Sequence, residues 1–193
     1  MCVYDAQNDM ALLTGEAGRA GRLLAGALGL AAAALGQAGH PQAAEQEIKA
    51  AYVYNFAKFV EWPGEATGQP LQICVVGDGF FALKIQEAIQ GKTANGRPLA
   101  VRLEPKPDEM RHCHILFVGA LERKRLGKLL PLLEGGSVLT VGNGEDFARQ
   151  GGVIGFVVDQ NRVRFEINVE AAARSRLRIS SQLLRVAKVT PGG

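Results

Sequence analysis

Short apolar runs rich in β-branched residues alternate with amphipathic segments through the middle of this chain. The runs at 71–77, 115–118 and 137–141 are bounded by glycine, proline or polar residues and have the length of strands rather than helices. The segments at 80–90 and 121–133 carry apolar residues three and four positions apart, which is typical of helices that pack on one face. This alternation predicts an α/β fold with a mainly parallel central sheet and helices on both faces.

The end of the chain departs from this alternation. The runs at 153–158 and 163–167 are separated by four polar residues, which indicates an antiparallel β-hairpin. A last helix is predicted at 182–189, where either Ser180 or Ser181 can act as the N-cap. A C-terminal hairpin followed by a helix therefore completes the predicted α/β domain.

The N-terminus has the features of an export signal. Arg19 and Arg22 precede an almost wholly apolar run at 23–35, and the small-residue site at 36–38 follows it. The run is short for a membrane span, although a buried helix or a short membrane anchor would have the same composition. The acidic stretch before Arg19 is unusual in a leader, and it suggests a start codon assigned too far upstream.

These features divide the chain into three parts. We expect a signal peptide over 1–38 that is cleaved near Ala38, a linker at 39–44 and one domain over 45–190. Cleavage would place the mature protein in the periplasm and would remove Cys2. The mature chain would then hold two cysteines, Cys74 and Cys113.

Both of these cysteines are predicted to lie on or beside buried strands. Cys74 is in the run at 71–77, and Cys113 immediately precedes the run at 115–118. Strands of a doubly wound sheet that are two apart in sequence are commonly neighbours, about 5 Å from each other. In the oxidising periplasm such a pair can form a disulfide, and the alternative is two buried free thiols.

Aromatic residues concentrate in the first predicted helix, at 45–61, which is expected to end near Trp62 because Pro63 follows. Tyr52 and Phe59 lie on the same apolar face, and Tyr54 lies off it. Such a stripe usually packs in a core, but partly exposed aromatic residues also anchor protein partners. The candidate partner-binding residues are Tyr52, Tyr54, Phe59, Trp62 and Phe80.

No motif of the sequence points to catalysis, and we predict neither catalytic residues nor a cofactor. Gly77-Asp78-Gly79 follows a strand, but the longer glycine pattern of nucleotide-binding loops is missing, so a tight turn is expected. His112 and His114 flank a cysteine without a third ligand cluster nearby, which argues against a metal site. The net charge of +3 is too small to indicate nucleic acid as a partner.

Two long segments resemble a known family. Residues 48–63 (IKAAYVYNFAKFVEWP) are similar to the opening motif of the YfiR-like family, and residues 151–189 are similar to its closing motif. The segments ICVVGDGFF and CHILFVG fit the middle of the same family. The resemblance spans about 45–189, and Cys74 and Cys113 fall where YfiR-like proteins have a cysteine pair.

The resemblance implies a small periplasmic α/β protein that regulates by binding. By analogy with the family, its partner would be an inner-membrane diguanylate cyclase or sensor kinase, which it would inhibit to control cyclic di-GMP. An outer-membrane YfiB-like lipoprotein would relieve that inhibition, and a homodimer is also implied. The alternative function, suggested by the fold class alone, is a periplasmic small-molecule-binding protein that feeds a transporter or sensor.

Overall fold

The computed structural model describes residues 41–64 and 68–190, so the expected signal peptide lies outside the described residues. The strands are β1 (Val60–Glu61), β2 (Leu71–Val76), β3 (Thr93–Ala94), β4 (Arg97–Leu103), β5 (Ile115–Val118), β6 (Leu139–Asn143), β7 (Ile154–Asp159), β8 (Arg162–Asn168), β9 (Arg178–Ile179) and β10 (Lys188–Thr190). The α-helices are α1 (Pro41–Phe59), α2 (Gly79–Ile89), α3 (Ala120–Arg123), α4 (Leu126–Leu129), α5 (Asp146–Arg149), α6 (Val169–Arg174) and α7 (Ser181–Val186). Short 3-10 helices lie at Met110–His112 and Leu130–Leu133.

The central sheet has the strand order β10-β8-β7-β6-β5-β2-β4-β3. The pairs from β4 through β2, β5 and β6 to β7 are parallel, as is the pair of β10 with β8. The pairs β7–β8 and β3–β4 are antiparallel, and β1 and β9 form a separate antiparallel pair. The predicted α/β fold with a mainly parallel sheet is therefore confirmed.

Apolar side chains bury both faces of the sheet because neighbouring residues of each strand point to opposite sides. On one face, Ile73 and Phe117 belong to the core cluster that includes the buried residues of α1 and α2. On the other face, Cys74 and Leu116 pack with the helical segments between β5 and β6 and with Phe147. This layering buries both faces of the sheet and leaves the strand ends as the accessible parts of the inner strands.

The hairpin at the end of the chain forms as predicted. Strands β7 and β8 pair from Ile154↔Ile167 to Asp159↔Arg162. The two turn residues, Gln160 and Asn161, both have positive φ, which suits the right-handed twist of the strands. Among the predicted caps, Ser180 accepts a hydrogen bond from the Leu183 amide and so caps α7.

Three elements differ from the sequence expectation. Helix α1 begins at Pro41, inside the predicted linker. The predicted helix at 121–133 is broken into α3, α4 and a 3-10 turn, and Gly127 and Pro131 are poor helix formers in its middle. Helix α7 ends at Val186, and the three residues of β10 then pair with β8, a strand that was not predicted.

The carboxyl ends of β2 and β5 meet at a tight turn. Gly77 has a φ of +71°, and the Asp78 carboxylate accepts a hydrogen bond of 2.9 Å from the Phe81 amide to cap α2. Gly119 lies so close that a Cβ there would be 2.8 Å from the Asp78 Cβ and closer still to the Gly77 carbonyl. The predicted tight turn is therefore filled by the chain's own backbone.

Candidate partner-binding surface

Tyr52 belongs to a packed group of aromatic rings rather than to the open surface. Its ring centre is 5.1 Å from that of Phe165 and 6.2 Å from that of Phe56. Phe56 in turn lies 5.7 Å from Phe156, so α1 is fixed to the hairpin by ring contacts. Tyr52 is partly buried against the core, and its main role in the described structure is therefore to position α1.

Tyr54 lies on the side of α1 that faces the turn after α2. Its hydroxyl donates a hydrogen bond of 3.2 Å to the Thr93 carbonyl. Two cations lie over its ring, with the Lys92 Nζ 4.9 Å and the Lys58 Nζ 5.5 Å from the ring centre. This arrangement is a partly exposed cation–π site, in which the ring holds positive charge at the surface.

The structure partly buries Phe59 and almost wholly buries Trp62. Phe59 packs against the main core, with Lys58 beside its ring. Trp62 is only 7% exposed, and its Nε1 donates a hydrogen bond of 3.0 Å to the His114 carbonyl. Of the two roles left open for Trp62, core packing or partner contact, its burial favours core packing, and a residue distant in sequence supplies its polar partner.

Phe80 is the predicted partner-binding residue that the structure presents most openly to solvent. It lies in the first turn of α2 and is 57% exposed. Leu83, one turn later, is 58% exposed, and Leu103, at the end of β4, is 50% exposed. Leu103 adjoins the start of α2, since a Cβ on Gly79 would lie 3.8 Å from its Cδ2. These three side chains are here called the apolar rim.

Leu83 and Leu103 are not among the residues that the sequence predicts to contact a partner. The periodicity places Leu83 in the apolar spacing of a helix and Leu103 in a half-buried strand. The alternation of Leu99, Val101 and Leu103 is the signal that could have found Leu103, because alternation marks a strand that is not buried on both faces. No comparable signal marks Leu83. The alternation does not predict that β4 lies next to β3, the short strand at the end of the sheet.

A groove of about 800 Å³ separates α2 from β4 and continues from the apolar rim. Leu83 and Ile89 contribute to its helix side, and Leu99 and Val101 contribute to its strand side. Lys92 and Thr93 line the end that adjoins Tyr54. We call this feature the edge groove.

The structure joins Cys74 and Cys113 by a disulfide bond. Their Cα atoms are 5.9 Å apart, within the ordinary range for such a bond. Cys74 is fully buried and Cys113 is 4% exposed, so the bond is shielded from solvent. It fixes the 3-10 helix before β5 to the middle of β2.

His114 lies at the amino end of β5, between β2 and Arg97. Its Nδ1 accepts a hydrogen bond of 3.0 Å from the Gln72 amide, and its Nε2 lies 2.9 Å from the Arg97 Nη2. Burial lowers the pKa of His114 to about 4, and the positive charge of Arg97 acts in the same direction. His114 is therefore neutral at neutral pH, and its hydrogen bonds serve to join three strands.

Within residues 41–64 and 68–190, no three His, Cys, Asp or Glu side chains converge as metal ligands would. Cys113 is bonded to Cys74, and His114 accepts its hydrogen bond from the backbone. In the same described ranges no helix is long and apolar enough to span a membrane. The features that stand out on this surface are apolar side chains and an open groove.

The family model described as YfiR/HmsC-like matches residues 46–188. The chain belongs to this family. YfiR-like proteins are periplasmic regulators of cyclic di-GMP signalling that act with partner proteins, and they are regulators rather than enzymes. This membership confirms the resemblance that the two end motifs indicated.

Solved structures share the fold at low sequence identity. A conserved domain protein from Vibrio cholerae matches with a TM-score of 0.51, at 11% identity over 73% of this chain. The ABC domain from Streptococcus pneumoniae in complex with L-Trp matches with a TM-score of 0.50, also at 11% identity over 73% of this chain. The YfiR-like chain spans 59% and 60% of the length of these two solved chains, and the likeness extends to the fold alone.

Proposed function

We propose that this protein binds the periplasmic part of an inner-membrane diguanylate cyclase, or of a related sensor kinase, and inhibits it. The observation that carries the proposal is the YfiR/HmsC-like match over residues 46–188, which covers nearly the whole described domain. The protein would thus lower cyclic di-GMP in the cell, and with it biofilm formation, without touching the nucleotide.

The mechanism is a shift in the receptor's conformational equilibrium. A bound regulator inhibits only if it binds the inactive conformation more tightly than the active one. A difference of about 5.5 kcal/mol in binding free energy is enough to move a receptor from mostly active to mostly inactive. The apolar rim supports this role, because exposed aromatic and aliphatic side chains supply binding energy at protein interfaces.

The compartment and the further partners belong to the same proposal. We propose that residues 1–38 are a signal peptide cleaved near Ala38, so that the mature domain acts in the periplasm.

An outer-membrane YfiB-like lipoprotein would compete for the protein and release the cyclase. A homodimer of the chain is part of the same proposal. Of the predicted contact residues, Phe80 and Tyr54 are the two that we place at the receptor contact.

Cyclic di-GMP measured in a strain lacking the gene tests the proposal. The concentration is expected to rise in the deletion strain and to return to normal with the full-length chain. A matched form that lacks residues 1–38 stays in the cytosol and should not complement, because the receptor's periplasmic part is then out of reach. An unchanged cyclic di-GMP concentration in the deletion strain, or full complementation by the cytosolic form, would contradict it.

A second candidate function is binding of a small molecule in the edge groove. Its volume of about 800 Å³ lies within the usual range for ligand pockets, and the solved S. pneumoniae neighbour holds L-Trp. A thermal-shift titration with L-tryptophan and other amino acids separates this candidate from the first. A saturable rise in melting temperature, with unchanged cyclic di-GMP in the deletion strain, would favour the small-molecule binder.

A further inference from the structure

We propose that the open edge of β4 takes up an extended segment of a partner protein as an additional strand, with the partner's alternate apolar side chains in the edge groove. The inference rests on the proposed function, because it names the way in which a regulator of this family would hold its receptor. The bound segment would lie outside β4, so that the eight-stranded sheet gains a ninth strand from another protein.

The outer side of β4 is covered over only two residues. On its inner side, β4 pairs with β2 from Leu71↔Leu99 to Val75↔Leu103. On its outer side, β3 pairs with Arg97 and Pro98 and then ends. Within the described parts of the chain, no strand covers residues 99–103 on that side. Native sheets usually blunt or cover such an edge, so an uncovered length of five residues is a candidate for pairing with another chain.

The backbone of β4 presents a regular set of hydrogen-bonding groups along this edge. The Glu104 amide donates to the Val75 carbonyl, which shows that Glu104 faces β2. Residues of a strand alternate in the side to which their backbone groups point, so Ala100 and Arg102 also face β2. The N–H and C=O groups of Leu99, Val101 and Leu103 therefore point outwards.

The same three residues carry the apolar side chains of the edge. Leu99 and Val101 pack partly against the main core, and Leu103 joins the apolar rim. Leu83 continues this apolar surface across the groove onto α2. An added strand would hydrogen-bond to the outward backbone groups and lay every second side chain on this surface, which gives both affinity and register.

Charge at the Tyr54 end of the groove indicates the chemistry of the segment. Lys58 and Lys92 lie over the Tyr54 ring, and neither forms an ion pair in the described parts of the chain. The nearby Glu87 is already paired with Lys84 at 2.8 Å. The segment that fits is therefore extended, apolar at alternate positions and acidic at the end that reaches Lys92.

Hydrogen exchange with a synthetic peptide tests the inference. The probe has valine at alternate positions and two glutamates at one end, and a second probe carries two lysines instead. The glutamate probe should bind saturably and slow exchange at the amides of Leu99, Val101 and Leu103. The amides of Ala100 and Arg102, already bonded to β2, should change little.

Two substitutions and a matched control sharpen the test. Val101→Pro removes an outward N–H, which an edge strand tolerates, and should weaken binding roughly tenfold without loss of fold. Lys92→Glu should weaken binding of the glutamate probe about threefold and strengthen binding of the lysine probe, a reversal that simple unfolding would not produce. Leu132→Asp, at a side chain that is 44% exposed and lies outside the edge groove, is the control and should leave binding unchanged.

Three results would overturn the inference. One is the absence of protection at residues 99–103 with the glutamate probe in large excess. Another is equal binding by the Val101→Pro protein. The third is protection of the same amides that rises with protein concentration without peptide, which would assign the edge to a second copy. If Val101→Pro abolishes peptide binding yet still lowers cyclic di-GMP in the deletion strain, the edge inference fails while the proposed function stands.

Discussion

The disulfide between Cys74 and Cys113 joins the middle of β2 to the residue that directly follows a 3-10 helix. Strands β2 and β5 already pair nearby, with Cys74 opposite Leu116. The bond therefore adds little to the pairing itself, and its effect is to hold the loop between β4 and β5 against the sheet. Because 39 residues separate the two cysteines, the bond also restricts the unfolded chain strongly.

Loss of this bond is expected to destabilise the domain without changing its fold. Replacing both cysteines with alanine should lower the free energy of unfolding by about 4 kcal/mol on the chain-entropy model. Urea unfolding of the wild type with and without reductant measures the same quantity, and the double variant should not respond to reductant. Equal stability of the oxidised and reduced wild type would contradict this prediction.

Stability is expected to fall in mild acid because of His114. The unfolded chain takes up a proton on His114 near pH 6.5, whereas the folded chain does so only near pH 4, where its lowered pKa lies. The folded state therefore loses stability as the pH falls from about 6.5 to about 4, and not above that range. We expect a loss of about 1 kcal/mol, after allowance for the partial exposure of the ring.

Urea unfolding between pH 7 and pH 4 measures this effect. His114→Asn keeps an acceptor for the Gln72 amide but removes the titration, so its stability should vary less with pH over this range. Carboxylates titrate in both proteins, and the difference between the two profiles isolates His114. Parallel pH profiles for the wild type and His114→Asn would contradict the prediction.

Gly119 is predicted to be irreplaceable by alanine. A methyl group there would lie 2.6 Å from the Gly77 carbonyl carbon, a backbone atom that cannot move aside like a flexible side chain. Gly119→Ala should therefore lower the free energy of unfolding by about 3 kcal/mol. Gly127→Ala is the matched control, because no atom lies within 4 Å of the position that its methyl group would take and alanine favours helix α4. A Gly119→Ala protein as stable as Gly127→Ala would show that the β2 and β5 ends are not closed together.

The core strands were predictable because their signal is local. Residues 71–77 and 115–118 form apolar runs of strand length, and the structure places β2 and β5 there within one residue. Capping by Ser180 and the turn before β8 are local for the same reason. Strand β10 carries no such run, and it exists because the edge of β8 offers it backbone partners.

The surface was less predictable because exposure depends on residues distant in sequence. Trp62 is buried because β5 brings the His114 carbonyl to its indole, 52 residues away. Leu83 and Leu103 are exposed on α2 and at the end of β4, where the sheet ends in a strand of only two residues. Neither fact can be derived from periodicity, which describes one element at a time.

Intracellular cyclic di-GMP, measured with variants of the apolar rim, is the most direct test of regulation through this surface. A deletion strain is complemented with the wild type, with the double substitution Phe80→Asp and Leu83→Asp, or with Leu132→Asp. Both variants change exposed side chains, so equal melting temperatures and equal periplasmic amounts are the required check. We predict that the wild type and Leu132→Asp restore a low cyclic di-GMP concentration and that the double variant does not. Full restoration by a folded, periplasmic double variant would contradict regulation through the apolar rim.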